Sequence, residues 1–201
     1  MTESTPALPK QVRRLRTAGI GLEVVTLAWN VVGVVLIAVL AVQSASVALA
    51  GFGLDSLIEI GASVVVIWEL TGSGAEARQR FALRLIGWAF VALGAYLFVQ
   101  SIVALAVGHR ATPGVGGVWW TAATAAVMFA LAFGKWRVGR ALDNPVLTTE
   151  GRVTLIDGIL ACAVLAGLVL DLAFGWWWAD PLAGLVIVFY ANREAVQIFR
   201  G

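Results

Sequence analysis

Asp55 and Glu59 lie four residues apart inside a long apolar stretch. On a helix that spacing puts both carboxylates on one face, where two like charges repel. Surrounded by hydrocarbon, they are not both stable as anions unless a cation sits between them or a proton binds one of them. The pair therefore selects for a cation site, a proton site, or the two in alternation. Asp157 is a third acid in equally apolar surroundings. Glu150 lies two helical turns before it on much the same face, and Glu23 is the acid of an earlier apolar run. Asn30 offers a carbonyl ligand or a hydrogen bond to another helix, and Thr154 and Ser56 carry the same two readings. The chain has one histidine, His109, and one cysteine, Cys162. A multi-histidine zinc site, a cysteine cluster and a disulfide within the chain are thus excluded, and no nucleophile–base pair stands out for an enzyme.

The elements that must position these acids follow from composition. Of 201 residues, 60% are hydrophobic and only 13% charged, with a mean hydropathy of +0.90. A soluble domain of this size carries about 25% charged residues and cannot hide so large an apolar fraction. Lipid is the expected solvent, which excludes a soluble enzyme, a nucleic-acid-binding domain and a disordered chain. Apolar runs long enough to cross a bilayer predict six transmembrane helices, at about 18–42, 46–70, 82–107, 117–137, 145–172 and 180–198. The fold class is an all-α membrane protein, with residues 1–17 as a tail before the first span. The first apolar run is too long for a signal peptide and carries Glu23 and Asn30, so it reads as a retained helix.

Thirteen of the fourteen basic residues then fall on one side, leaving Arg110 alone on the other. Lys135, Arg137 and Arg140 belong to the basic side as flanking charges. The positive-inside rule places both termini in the cytoplasm and the protein in the plasma (inner) membrane. Trp119, Trp120 and Trp176 to Trp178 mark outer ends as an interfacial belt. Asp143-Asn144-Pro145 starts the fifth helix, and Asp180-Pro181 reads as the cap of the sixth. Glu194 reads as a solvated acid at a span end. Counting from the ends, Asp55 lies ~14 Å from the outer side and Asp157 ~18 Å from the inner side. Three carboxylates converge near the midplane as an oxygen-rich divalent-cation site, with Glu150 and Glu23 lining its cytoplasmic approach.

These residues match a pattern. Ser46-Val47-Ala48-Leu49 followed by Gly53-Leu54-Asp55-Ser56-Leu57-Ile58-Glu59 resembles the second transmembrane helix of the cation diffusion facilitator family. Glu150 to Asp157 resembles its fifth helix, and Asp180-Pro181-Leu182-Ala183 the start of its sixth. The resemblance implies that Asp55, Glu59 and Asp157 are metal ligands. Glu59 replaces the family's usual second Asp, and Val153 stands where it usually has a fourth ligand. Asn30, Thr154, Glu23 or water are the candidates to complete the shell. The chain stops at Gly201, near where that family's cytosolic domain begins. A homodimer would then be held through the membrane region, with Gly87, Gly94 and Gly134 available for close packing.

The resemblance further implies export of a divalent cation in exchange for protons. Family frequency favours zinc, while an all-oxygen shell suits manganese, iron or cobalt. The competing expectation is a non-transporting membrane subunit or scaffold that kept the fold and lost the activity, for which Val153 is the motive.

Overall fold

The computed structural model describes residues 10–71 and 76–200, with the side chains of 66, 68–71, 76–83, 86, 145 and 146 outside that description. Residues 1–9 of the tail read over 1–17 therefore lie outside the described residues. The described chain forms α1 (Lys10–Ser44), α2 (Val47–Thr71), α3 (Glu76–Val107), α4 (Val115–Ala141), α5 (Pro145–Phe174) and α6 (Ala179–Arg200). All six are long and apolar enough to cross a membrane. α1 begins at Lys10, inside the stretch read as tail, because apolarity marks only the part of a helix that meets lipid. Lys, Gln and Arg are good helix formers and continue the helix beyond it.

Short connections turn the chain back on itself, and the helices pair as α1 with α2, α4 with α5, and α3 with α6. α2 and α5 meet at the centre, and α6 packs on both. The buried core runs through Leu49 and Phe52 of α2, Leu97 of α3, Leu160, Val164 and Leu168 of α5 and Ile187 of α6. The outward faces are apolar and exposed, as at Val31, Phe98, Trp119, Phe133 and Phe189, which is the surface lipid requires. Cys162 is exposed among them rather than packed inside.

α5 starts as the sequence indicated. The Asn144 side chain accepts from the Leu147 N–H at 2.9 Å, with Pro145 following. The helix ends at Gly175, whose φ of 65° suits a residue without Cβ. Asp180 departs from its expected role. α6 begins at Ala179, so Asp180 is already inside its first turn. Its carboxylate instead crosses to α2, accepting from the Ser46 hydroxyl and, at 2.9 Å, from the Val47 N–H. The neighbouring connection docks there too, through Thr112 N–H to the Ser44 carbonyl at 2.8 Å and His109 Nε2 to the Ala45 carbonyl at 2.9 Å. One end of the bundle is thereby latched by hydrogen bonds between its turns.

Three other expectations are corrected by packing. Trp120 is not a belt residue. It stacks on Trp29 at 4.9 Å between α1 and α4, and Trp29 Nε1 donates to Thr124. Gly87, Gly94 and Gly134 face Phe199, Asn192 and Leu22 of this same chain, so their lack of a side chain serves packing within the monomer. Lys135, Arg137 and Arg140 do not flank α4 but lie within it, and Lys135 is fully buried.

Replacing Asp180 with Ala removes the acceptor for an end N–H of α2 and for Ser46. The expected loss is about 1–2 kcal/mol, read as a lower unfolding midpoint of the purified protein in detergent. An unchanged midpoint would show that the latch carries no stability.

Candidate functional site

The site begins with how closely α4 and α5 approach. A Cβ on Gly151 would lie 3.1 Å from the Trp136 amide nitrogen and 3.2 Å from Lys135 Cβ, so any larger residue would push the two helices apart by a few tenths of an ångström. It sets Lys135 beside the acids and hydroxyl of α5. Lys135 Nζ lies 3.0 Å from Glu23 Oε2 of α1 and 3.3 Å from Glu150 Oε1. It also donates to Thr154 Oγ1 at 2.9 Å. That hydroxyl donates in turn to Glu59 Oε1 of α2 at 3.2 Å. Glu59 Oε2 accepts from Asn30 Nδ2 of α1 at 3.0 Å. One continuous polar chain thus joins α1, α4, α5 and α2 through the interior, every member of it buried.

This chain assigns four of the expected residues. Glu23 and Glu150, read as lining an approach, are both paired with Lys135, which supplies the counter-charge that an acid taken out of water needs. Asn30 makes the helix–helix bond that was one of its two readings, and Thr154 relays between Lys135 and Glu59. Ser56 donates to the Phe52 carbonyl of its own helix at 3.1 Å.

Beside the chain lies a cavity of about 20 Å³, lined by Asp55, Glu59, Phe90, Val153, Ile156, Asp157, Leu160, Tyr190, Ala191 and Glu194. It holds one water-sized occupant. The three carboxylates read from sequence, Asp55, Glu59 and Asp157, all border it. They differ in state. Glu59 has a donor on each oxygen, which fixes its orientation and leaves further lone pairs. Asp157 is 3% exposed, no N–H group reaches either of its oxygens, and its carboxylate faces those of Asp55 and Glu59. Val153 forms part of the apolar wall. Among the described residues, no three His, Cys, Asp or Glu side chains are gathered tightly enough to hold an ion as they stand. A bound cation would have to draw the cavity acids closer together.

Two residues escaped the sequence reading. Lys135 was taken for a flanking charge, and Glu194 for a solvated acid at the end of its span. Glu194 is in fact 7% exposed and borders the cavity from α6. A signal existed for each. α4 and α5 form a hairpin turning at 142–144, and Lys135 and Glu150 stand at nearly equal distances from that turn, hence opposite one another. Glu194 continues the buried stripe Asp180, Gly184, Ile187, Ala191 along α6, at spacings of three and four residues.

Removing only the lysine, as in Lys135→Met, strands two buried acids. Loss of one partner of a buried pair costs about 3–5 kcal/mol, which should appear as a sharply lower unfolding midpoint. Adding Glu150→Gln should recover part of that loss. A Lys135→Met protein as stable as the parent would refute the pairing.

The sequence also matches known proteins. A family model for the cation efflux transmembrane domain matches residues 23–201, in line with the resemblance carried by α2, α5 and α6. The chain is 24% identical to the uncharacterized transporter sll1263 of Synechocystis, over 77% of this chain and 53% of that protein. It is 22% identical to transmembrane protein 163 of Xenopus laevis, over 96% of this chain and 72% of that one. It therefore spans about half the length of the cyanobacterial relative.

Proposed function

This chain belongs to the cation efflux family, a family of membrane transporters and not of enzymes, and we propose that it moves a divalent metal cation through the cavity bordered by Asp55, Glu59 and Asp157. The observation that carries this reading is Asp157, whose buried carboxylate meets those of Asp55 and Glu59 with no N–H group to neutralise it, beside a space with room for one ion. A buried carboxylate left in that state is costly, and a bound cation offsets the cost. The small space favours a cation stripped of most of its water over any organic substrate. An all-oxygen donor set suits manganese, iron or cobalt, and also accepts zinc.

Coupling follows from the same chemistry. A proton neutralises a carboxylate as a metal does, so the two compete for the same oxygens. If the cavity opens in turn to each side, competition becomes exchange of metal for protons. The fixed Lys135 keeps Glu23 and Glu150 occupied, which leaves the acids of the cavity as the groups free to exchange. Setting aside the buried Lys135, Arg110 remains the exception among basic residues that otherwise gather toward the side of the termini, and we assign that side to the cytoplasm and the protein to the plasma (inner) membrane. Efflux is the direction we assign.

Vesicles containing the purified protein and a metal-sensitive dye test the reading. An opposing proton gradient should accelerate the entry of manganese or zinc, and metal entry should move protons the other way. Asp55→Ala and Asp157→Ala should each reduce the flux to that of protein-free vesicles. Flux at the parental rate in both variants would overturn the site.

A further inference from the structure

Glu194 occupies a place in the cavity that the proposed three-carboxylate site does not use. Asp55 and Glu59 approach from α2 and Asp157 from α5, and Val153, Ile156 and Leu160 make the α5 wall apolar. α6 supplies Tyr190, Ala191 and Glu194. Among these three, only Glu194 offers a carboxylate. Ala191, one turn before it, is small and leaves the space open. Glu194 is 93% buried by its 7% exposure, and its Oε1 has no hydrogen-bond partner. Its charge acts on Asp55 within the cavity and is itself acted on by Arg152 and Arg193, both at exposed positions. It thus stands between the interior acids and the basic end of the bundle.

We propose that Glu194 is a fourth cation-binding carboxylate, contributed by α6, so that the ion is held among three helices and not between α2 and α5 alone. The inference rests on the reading of the cavity as a divalent-cation site. It supplies an oxygen donor in a cavity whose α5 wall carries Val153, a residue that cannot bind metal. A ligand on α6 also makes the position of that helix sensitive to whether an ion is present.

The competing role for Glu194 is a counter-charge to Arg152 and Arg193, and the experiment separates the two. Binding of manganese to the full chain in detergent is measured by calorimetry for the parent, Glu194→Gln, Glu194→Cys and Asp157→Asn. Glu194→Gln should weaken manganese about tenfold or more, a loss of about 1.4 kcal/mol. Glu194→Cys should raise the preference for cadmium over manganese by at least a similar factor, since a thiolate favours the softer ion. The cysteine result stands as a ratio within one folded protein, so it holds even if the glutamine variant folds poorly. Parental manganese affinity in Glu194→Gln, or an unchanged cadmium preference in Glu194→Cys, overturns the proposal. If Asp157→Asn still abolishes binding in that case, the cation site itself survives without Glu194. Parental binding in Asp157→Asn would overturn the site as a whole.

Discussion

Lys135 holds the interior of this bundle together. Its ammonium meets two carboxylates and a hydroxyl, on two other helices, with no exposure to solvent. In hydrocarbon an unpaired charge is expensive, so such a group constrains its neighbours in proportion to what separating them would cost. α1 must bring Glu23, α5 must bring Glu150 and Thr154, and Thr154 in turn fixes Glu59 on α2. The glycine at 151 makes this geometry accessible by letting α5 close on α4. Four helices are thereby registered by polar contacts, in a solvent where apolar burial gives helices little reason to associate.

The cavity acids gain their character from that arrangement. Glu59 is oriented by Asn30 and Thr154, while Asp157 is buried beside it, facing carboxylates and no N–H group. A site built this way joins one fixed acid to others that remain available. The fixed part gives the pocket its shape, and in the proposed function the other acids are the ones an ion would bind. The opposite end of the bundle shows a different economy. There Asp180, Ser46 and the loop around Thr112 satisfy one another and leave little to exchange.

Much of this was legible in the residues. Six apolar runs gave six helices because lipid enforces both length and apolarity, and Asn144-Pro145 announced the start of α5 through local chemistry alone. Asp55, Glu59 and Asp157 stood out because acids are conspicuous in so apolar a chain, and all three border one cavity. The errors share one cause. Position along a span says how deep a residue lies, but not which way it faces. Lys135 and Glu194 near span ends, Trp120 at an apparent interface and Asp180 at a helix start all looked solvent-directed by depth. Each proved to be turned toward a neighbouring helix, and only the register between helices decides that. Glu23 and Glu150 were recognised as unusual, but their partner Lys135 was missed because it had been placed outside.

The central claim is that a divalent cation binds where α2, α5 and α6 meet. A structure of the protein soaked with manganese, with anomalous scattering used to locate the metal, tests it most directly. The account predicts one strong peak within ligand distance of Asp55 and Asp157, with Lys135 still paired to Glu23 and Glu150. The contrary result is a peak elsewhere in the bundle, or no peak at a manganese concentration that saturates transport.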